Sequence, residues 1–363
     1  MPERYNVGAE LRWPAVIVAL ISVCLYTVAS YSDRQSDAPL MREKLAVSRK
    51  LVAAEMVLRD ERKKLKIPIT IDDRERTGWI GGPLSWYTTE PGSVTAKRSS
   101  ANPNFGAVAV EMLSHAGVRK GDAVALGMSG SVPALNTAMI AAAEELGAYP
   151  IIISSVGASQ YGANQDRLTW QRMEKAFRER GIISHGSVAV SRGGSSSTEQ
   201  RVLDRLDREA ARSDVEVIDD NHLGKSVQRR MAIYRQQAGK RRIAVFVNIG
   251  GAAVNVGAPQ IVDAPDSFAA QGVLGVMKSQ GVRVIDVRLI KTLCQRYGLP
   301  WDPSPLPAVG QGGIYHTSHR SPVVVGLCLL ALAGAICYTA ARKSRWSERS
   351  PIALGDPIHP QKP

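Results

Sequence analysis

A chain of 363 residues with 46 basic and 33 acidic side chains carries a net charge of +13, a balance that favours anionic binding partners. Three of the four cysteines, Cys24, Cys328 and Cys337, lie inside apolar segments near the two ends, which leaves only Cys294 to the rest of the chain. An intrachain disulfide framework and a zinc site built from paired cysteines are therefore excluded there.

Two uncharged apolar segments predict a membrane-spanning helix near each end of the chain. Residues 13–31 have close to the minimum length of a spanning helix, and the 20 residues 322–341 are long enough to span comfortably. The first segment could instead be a signal peptide. Its weakly basic start and the lack of a clear small-residue cleavage site favour an anchor that is not cleaved.

Basic residues beside these segments predict the orientation of the chain. The tail 342–363 has four basic residues soon after the second span, so we expect it in the cytoplasm. With two spans, the N-terminal tail 1–12 is also cytoplasmic and residues 31–321 are extracytoplasmic. These 291 residues include 39 basic and 29 acidic side chains, a net charge of +10. The polyanions available there are capsule polymers, teichoic-type chains and lipid headgroups, so no nucleic-acid partner is predicted.

Residues 41–66 are predicted to form an amphipathic stalk helix. Leu51, Leu58 and Leu65 recur at seven-residue spacing among helix-forming residues, and Pro68 ends the pattern. The apolar stripe could pack on the chain's own domain, or it could join two protomers in a short coiled coil.

Residues 67–298 are predicted to form an extracytoplasmic α/β domain. After a turn-rich segment, helices and apolar strands alternate, which is typical of a parallel, Rossmann-like sheet. Helices are expected near residues 103–117, 132–146, 167–180, 198–212 and 225–238, and twice more between 267 and 298. Strands are expected at residues 122–127, 149–154, 187–190, 215–219 and 243–249, and at a VRVIDV segment between the last two helices. The proline-rich residues 299–321 are predicted to be a linker into the second span.

Three loops rich in glycine and serine follow predicted strands, at residues 127–131, 191–198 and 248–257. Ligands of parallel sheets bind at the carboxyl ends of strands, and backbone N–H groups and hydroxyls there suit a carboxylate or phosphate. The basic helix near 225–238 could add cations that pair with a polyanion or with lipid headgroups, or it could present only a solvated face. Such loops also serve as ordinary connections in α/β proteins. The predicted anion- or polymer-binding residues are Ser129, Gly130, Ser131, Arg192, Gly193, Gly194, Ser195, Asn248, Gly250, Gly251, Arg229 and Arg230.

Covalent catalysis is a further hypothesis for the first loop. It approaches the Gly-x-Ser-x-Gly turn of hydrolases, although Ser131 stands where the second glycine belongs. If the chain is an enzyme, Ser129 or Ser131 is the expected nucleophile and His222 the expected base, with Asp219 or Asp220 orienting the base.

A metal site is a weaker hypothesis for residues 219–222, which could equally form a turn that caps the next helix. The following Gly224, Lys225 and Ser226 are similar to the end of a P-loop, but the first glycine of that motif is missing. We therefore predict no metal and no cofactor.

Residues 126–147, 152–170 and 247–257 together resemble the bacterial poly-γ-glutamate system protein family. The likeness extends over most of the chain, including a leading membrane anchor. It implies a part in making, exporting or anchoring poly-γ-glutamate at the bacterial cytoplasmic membrane. The implied partners are a cytoplasmic ATP-dependent ligase and a membrane-embedded subunit of the synthase. No established catalytic residue of the family can be carried onto this chain.

We therefore expect an accessory component of poly-γ-glutamate synthesis or export, anchored in the lipid bilayer, whose basic outer domain binds or guides the polymer. One alternative is an extracytoplasmic hydrolase or transpeptidase that acts on γ-glutamyl bonds. Another is a membrane scaffold that binds anionic lipid.

Overall fold

The structure, a computed structural model, describes residues 12–31, 34–194, 198–219, 221–258, 268–319 and 322–347. The chain divides into two units. We call Ala38–Tyr315 the main domain, and Met1–Asp37 together with His316–Pro363 the terminal unit. The N-terminal tail 1–11 and the C-terminal residues 348–363 lie outside the described residues.

Regular elements follow one another along the described chain with short connections. The helices are α1 (Arg12–Tyr31), α2 (Met41–Leu65), α3 (Val94–Ser100), α4 (Phe105–His115), α5 (Pro133–Glu145), α6 (Trp170–Glu179), α7 (Gln200–Ala210), α8 (Leu223–Ala238), α9 (Ala253–Val256), α10 (Phe268–Ser279), α11 (Ile290–Tyr297) and α12 (Pro322–Ser347). The strands are β1 (Arg34–Asp37), β2 (Thr88–Glu90), β3 (Ala123–Ser129), β4 (Tyr149–Ser155), β5 (Ala158–Ser159), β6 (Asn164–Gln165), β7 (Leu168–Thr169), β8 (Ser187–Ser191), β9 (Glu216–Ile218), β10 (Ile243–Ile249), β11 (Arg283–Val287) and β12 (His316–His319).

The terminal unit contains the two apolar helices. In α12, residues Pro322–Ala341 are long and apolar enough to cross a membrane, as predicted for this end of the chain. The apolar part of α1, Val16–Thr27, is shorter, so its crossing of the membrane stays a prediction. The two helices contact each other, and β1 pairs with β12 in antiparallel register.

The main domain is built on a parallel six-stranded sheet with the order β11-β10-β3-β4-β8-β9. Every residue of the central strand β3 is buried, because helices cover both faces of the sheet. This architecture confirms the α/β fold that the alternation of helices and apolar strands predicted.

The path of the chain through the sheet reverses next to β3. From β3 the chain moves outward in one direction through β4, β8 and β9. The helix α8 then returns the chain to β10 on the other side of β3, and β11 follows at that edge. The connections after β3 and β10 thus lead in opposite directions, which makes a topological switch point between these two strands.

Alternate residues of β3 point into two cores. Val124 and Leu126 belong to one cluster, which includes buried apolar residues of α2, α4 and α5. Ala123 and Ala125 belong to a second cluster, which includes apolar residues of α8 and α10. The period of two along the strand explains this division, because successive side chains point to opposite faces of the sheet.

The structure places α2 inside the main domain. Its stripe of Val47, Leu51, Ala54 and Leu58 is fully buried, and the helix packs on α4 and α5. The amphipathic helix predicted as a stalk is therefore part of the domain core. Two roles were left open for this apolar stripe. In this structure the stripe packs on the chain's own domain.

The segment predicted as a linker also packs on the main domain as far as Tyr315. Asp302 accepts two hydrogen bonds from Arg98, at 2.7 and 2.8 Å, and one from Arg74 at 2.7 Å. The hydroxyl of Tyr315 bonds to Asn104 at 2.7 Å. The N–H of Ala38 donates to the carbonyl of Tyr315 at 2.9 Å, so the first and last residues of the domain are neighbours.

Replacing Asp302 by alanine should loosen this segment and lower the stability of the domain by about 1–2 kcal/mol, because the carboxylate is only partly buried. The hydrogen bonds from Arg98 hold the pKa of Asp302 below its usual value of 3.8. The contribution is therefore present above pH 3.8 and is lost as the pH falls below it. Limited proteolysis at pH 7 should cut residues 299–315 faster in the variant. Asp60→Ala, which breaks an exposed ion pair with Arg180, is the control, and equal cutting rates in both variants would contradict the prediction.

Candidate functional site

The six parallel strands of the sheet all end at one edge, which includes the switch point between β3 and β10. The loops that were predicted from their glycine and serine content follow β3, β8 and β10. Open α/β sheets bind ligands in the crevice outside the carboxyl ends of such strands. The strand order therefore points to this edge as the candidate site.

A pocket of about 60 Å³ lies at this edge. Its polar wall includes Ser155 at the end of β4, Ser191 at the end of β8, Arg230 of α8 and Asn255 of α9. Gly193 and Gly194 line it as well. A space of this size holds a single carboxylate or a few water molecules, rather than a nucleotide.

The helix α8 carries Arg230 on its buried face. Only 3% of Arg230 is exposed, and its guanidinium donates to the hydroxyl of Ser191 at 2.6 Å and to the hydroxyl of Ser226 one turn earlier. A planar guanidinium offers five N–H donors in a fork that matches a carboxylate. The neighbouring Arg229 points elsewhere, because it is exposed and pairs with Glu216 of β9.

Asn255 adds a buried amide to the same wall. Its Nδ2 donates to the Oδ1 of Asn248 at 3.0 Å, whereas its own Oδ1 is buried without a hydrogen-bond partner among the described residues. Asn248 in turn donates to the carbonyl of Gly250 and to Asp286 of β11, both at 2.9 Å. The amide donors of Asn248 are thus used within the chain, whereas the side-chain oxygen of Asn255 is an acceptor that no described residue uses.

Glycines allow the loops to approach one another around the pocket. The N–H of Gly130 donates to Gly157 at 3.2 Å, and the N–H of Gly157 donates to Arg192 at 2.9 Å, so three loops are joined through their backbones. Gly250 has a φ of +106° and packs directly on Ser129, where a side chain would collide with the serine hydroxyl. The glycine-rich composition therefore serves close backbone approach at this edge.

The two serines of the first loop use their hydroxyls to hold backbone groups. The Oγ of Ser129 accepts from the N–H of Ser131 at 3.3 Å, and the Oγ of Ser131 accepts from the N–H of Ser159 at 3.0 Å. His222 is exposed just before α8, and within the described residues no hydrogen bond joins it to either serine. The proposed orienting residue Asp220 lies outside the described part of the chain, whereas Asp219 is described.

The remaining predicted binding residues are spread around the crevice. Arg192 pairs with Asp207 of α7 at 3.3 Å, and Gly251 is exposed. Ser195 lies outside the described residues. In the part of the chain that the structure describes, no three His, Cys, Asp or Glu side chains are grouped so that they could hold a metal ion.

Sequence reasoning did not single out Asn255, which lies in the third predicted loop, or Ser155, which directly follows the predicted strand 149–154. One signal could have distinguished Arg230 from Arg229. Arg230 shares a helix face with the apolar Val227, Met231 and Tyr234, at the i, i+3, i+4 spacing of a buried stripe.

Comparison with known proteins finds no matching family model, no matching curated protein and no matching solved structure.

Proposed function

We propose that this chain is a membrane-anchored accessory component of poly-γ-glutamate synthesis or export, and that its main domain binds the polymer through the crevice at the strand ends. In this proposal α1 and α12 both cross the bacterial cytoplasmic membrane, both termini are cytoplasmic and the main domain is extracytoplasmic. The other partners are the lipid bilayer and membrane-embedded subunits of the synthase.

The observation that carries the proposal is the presence of Arg230 and Asn255 in the wall of one small pocket. In a γ-linked glutamate chain, the free carboxylate and the amide N–H of each unit are attached to the same carbon atom. A guanidinium suits the carboxylate, and the buried amide oxygen of Asn255 suits the N–H. A pocket of about 60 Å³ accepts one such group while the rest of the polymer stays outside.

The overall charge also supports the binding of an anionic polymer. The net charge of +10 over residues 31–321 attracts a polyanion at long range, and this attraction weakens as salt is added. The charge alone does not distinguish this polymer from other polyanions, and the choice of poly-γ-glutamate is supported by the resemblance of residues 126–147, 152–170 and 247–257 to poly-γ-glutamate system proteins.

The experiment compares two neighbouring arginines. The full-length chain in detergent micelles is titrated with fluorescent poly-γ-glutamate, and anisotropy gives the affinity across a salt series. Arg230→Gln should weaken binding by about 10- to 100-fold, because it removes a charge-assisted pair. Arg229→Gln removes the same charge from an exposed position on the same helix and should weaken binding less than about threefold. Arg230→Lys keeps the charge, and the melting temperature of each variant controls for folding.

Other polymers test the specificity. Poly-α-glutamate has its carboxylates at the ends of side chains, away from the amide N–H, so it should bind more weakly than the γ-linked polymer. If both arginine variants weaken binding equally and both polymers bind equally well, the proposed pocket is refuted. Binding would then come from a non-specific basic surface. Shortening of the polymer during incubation would instead support the hydrolase alternative.

A further inference from the structure

A second polar cluster lies apart from the Arg230 pocket, around Lys97 of α3. Its ammonium donates a hydrogen bond of 2.8 Å to the Oγ of Ser159 on β5. Both residues are 8% exposed, so they are buried without being sealed. Among the described residues no acidic side chain forms an ion pair with Lys97, although lysines are rarely this buried without one.

Burial lowers the pKa of Lys97 to about 8. At neutral to slightly alkaline pH, Lys97 is therefore uncharged in a larger fraction of the molecules than an exposed lysine is. An uncharged amine can accept a proton, whereas the ammonium of an exposed lysine cannot. The hydrogen bond joins this base directly to a serine hydroxyl, which is the arrangement that activates a nucleophile.

The surroundings of Ser159 fix it in place. Its N–H is held by the hydroxyl of Ser131, and β5 pairs in parallel with β2. Gly92 lies over the serine, where an added Cβ would be 3.1 Å from Oγ. The missing side chain is what permits this close approach, since an added Cβ would also lie 2.6 Å from the carbonyl oxygen of Gln160. The N–H of Gly92 is bonded to the side chain of Gln160 at 3.1 Å, so rotation of that side chain frees a donor for an oxyanion.

We propose that Ser159 and Lys97 form a serine–lysine acyl-transfer site that acts on an amide or ester, with Ser159 as the nucleophile and Lys97 as the general base. The site is different from the carboxylate-binding crevice. It also differs from the nucleophiles expected from the sequence, because Ser131 here positions the backbone of Ser159. The proposal does not depend on polymer binding at Arg230.

The reaction proceeds in two stages. The Oγ of Ser159 bonds to the substrate carbonyl carbon while its proton passes to the uncharged Nζ of Lys97. The tetrahedral intermediate collapses, the bond to the leaving amine or alcohol breaks, and the leaving group takes the proton from Lys97. Water then attacks the acyl-serine, gives a proton to Lys97 and displaces Oγ, which recovers that proton as the carboxylic acid leaves and ionises.

The test uses the full-length chain in detergent with a fluorophosphonate, which reacts with activated serines, and with a p-nitrophenyl ester. Peptide mass spectrometry should place the adduct on Ser159, and the labelling rate should rise with pH around a midpoint near 8. Ser159→Ala should abolish labelling and ester turnover. Lys97→Met should slow both by at least about 100-fold, as expected for the loss of a general base. Ser114→Ala, at a serine on α4, should react like the original chain.

Several results would overturn the proposal: no adduct on Ser159, unchanged turnover in Ser159→Ala, or unchanged labelling in Lys97→Met. Lys97→Arg keeps a cation that cannot serve as a base, so it should be as slow as Lys97→Met, and normal rates in it would also refute the mechanism. If the Lys97 variants do not fold, the adduct position, Ser159→Ala and the pH profile of the original chain decide the question. Polymer affinity should be the same in Ser159→Ala and the original chain.

Discussion

Replacing Arg62 by alanine is expected to lower the free energy of unfolding of the main domain by about 3–5 kcal/mol. Arg62 lies near the end of α2, and only 1% of it is exposed. Its guanidinium donates to the carbonyls of Gly78 at 2.9 Å, Ile80 at 2.8 Å and Pro68 at 3.2 Å. Alanine would leave these carbonyls without their donor and would open a cavity beside them.

The segment held by Arg62 has little regular structure of its own. Asp73 organises it further, because its carboxylate accepts from Thr77 and from the N–H of Gly78 at 2.7 Å. Asp73 also interacts favourably with the charge of Arg62. The loss of the arginine therefore removes three hydrogen bonds and a favourable charge at once.

Thermal unfolding of the full-length chain, followed by tryptophan fluorescence, measures the effect. At about 2–4 °C per kcal/mol for domains of this size, the melting temperature should fall by roughly 10 °C. Lys64→Ala is the matched control on the same helix, since Lys64 is exposed and its ion pair with Glu61 is long, at 3.5 Å. That variant should unfold within about 0.5 kcal/mol of the original chain. A similar small effect for Arg62→Ala would show that solvent replaces the lost hydrogen bonds.

Replacing Glu174 by glutamine is expected to change how stability depends on pH. Glu174 is buried in α6 and accepts two hydrogen bonds from Ser187, each of 2.9 Å. Burial nevertheless raises the pKa of Glu174 from 4.5 to about 7. Between these two values the folded chain keeps a proton that the unfolded chain has lost. Raising the pH through this window therefore costs stability, about 3 kcal/mol in total at 1.36 kcal/mol per pH unit.

Glutamine stays uncharged at every pH and can still accept from the N–H of Ser187. The variant should have about the same stability as the original chain near pH 4.5, and it should gain up to about 3 kcal/mol over it by pH 8. Denaturant unfolding at a series of pH values measures this difference. Glu179→Gln, an exposed carboxyl on the same helix, controls for the loss of one negative charge. Parallel pH curves for the original chain and Glu174→Gln would refute the assignment.

The regular elements of the main domain could be predicted closely from the sequence. The apolar run at 243–249 has the same bounds in the structure as strand β10, and the helix predicted near 167–180 is α6 at Trp170–Glu179. Both are local patterns, a continuous apolar run in one case and a helical period in the other. For these two elements, the structure confirms the type of element that the local pattern predicted.

The packing partners of an element could not be predicted from these local patterns. The spacing of Leu51, Leu58 and Leu65 indicates an apolar stripe on α2 but not whether a protomer or the chain's own helices pack on it. Prolines at 299–321 indicate irregular structure, which is compatible with tight packing. The pairing of Asp302 with Arg98 joins residues 204 positions apart, and no local pattern contains that information.

The candidate site, too, could be predicted only in part from local patterns. The three loops were found because each follows a predicted strand, and this needs only local information. The switch point depends on the strand order, which brings β10 beside β3. The partnership of Asn255 with Asn248 and the contact of Lys97 with Ser159 are products of the tertiary fold, so composition alone gave no sign of them.

The hydrogen bond between Ala38 and Tyr315 means that the chain enters and leaves the main domain at one place. The domain is therefore suited to circular permutation. A short peptide could link these two positions, and new termini could be placed in an exposed turn such as the one at Gly239–Lys240. The same property suits the domain to transplantation, because a host protein need supply only two adjacent attachment points to carry it.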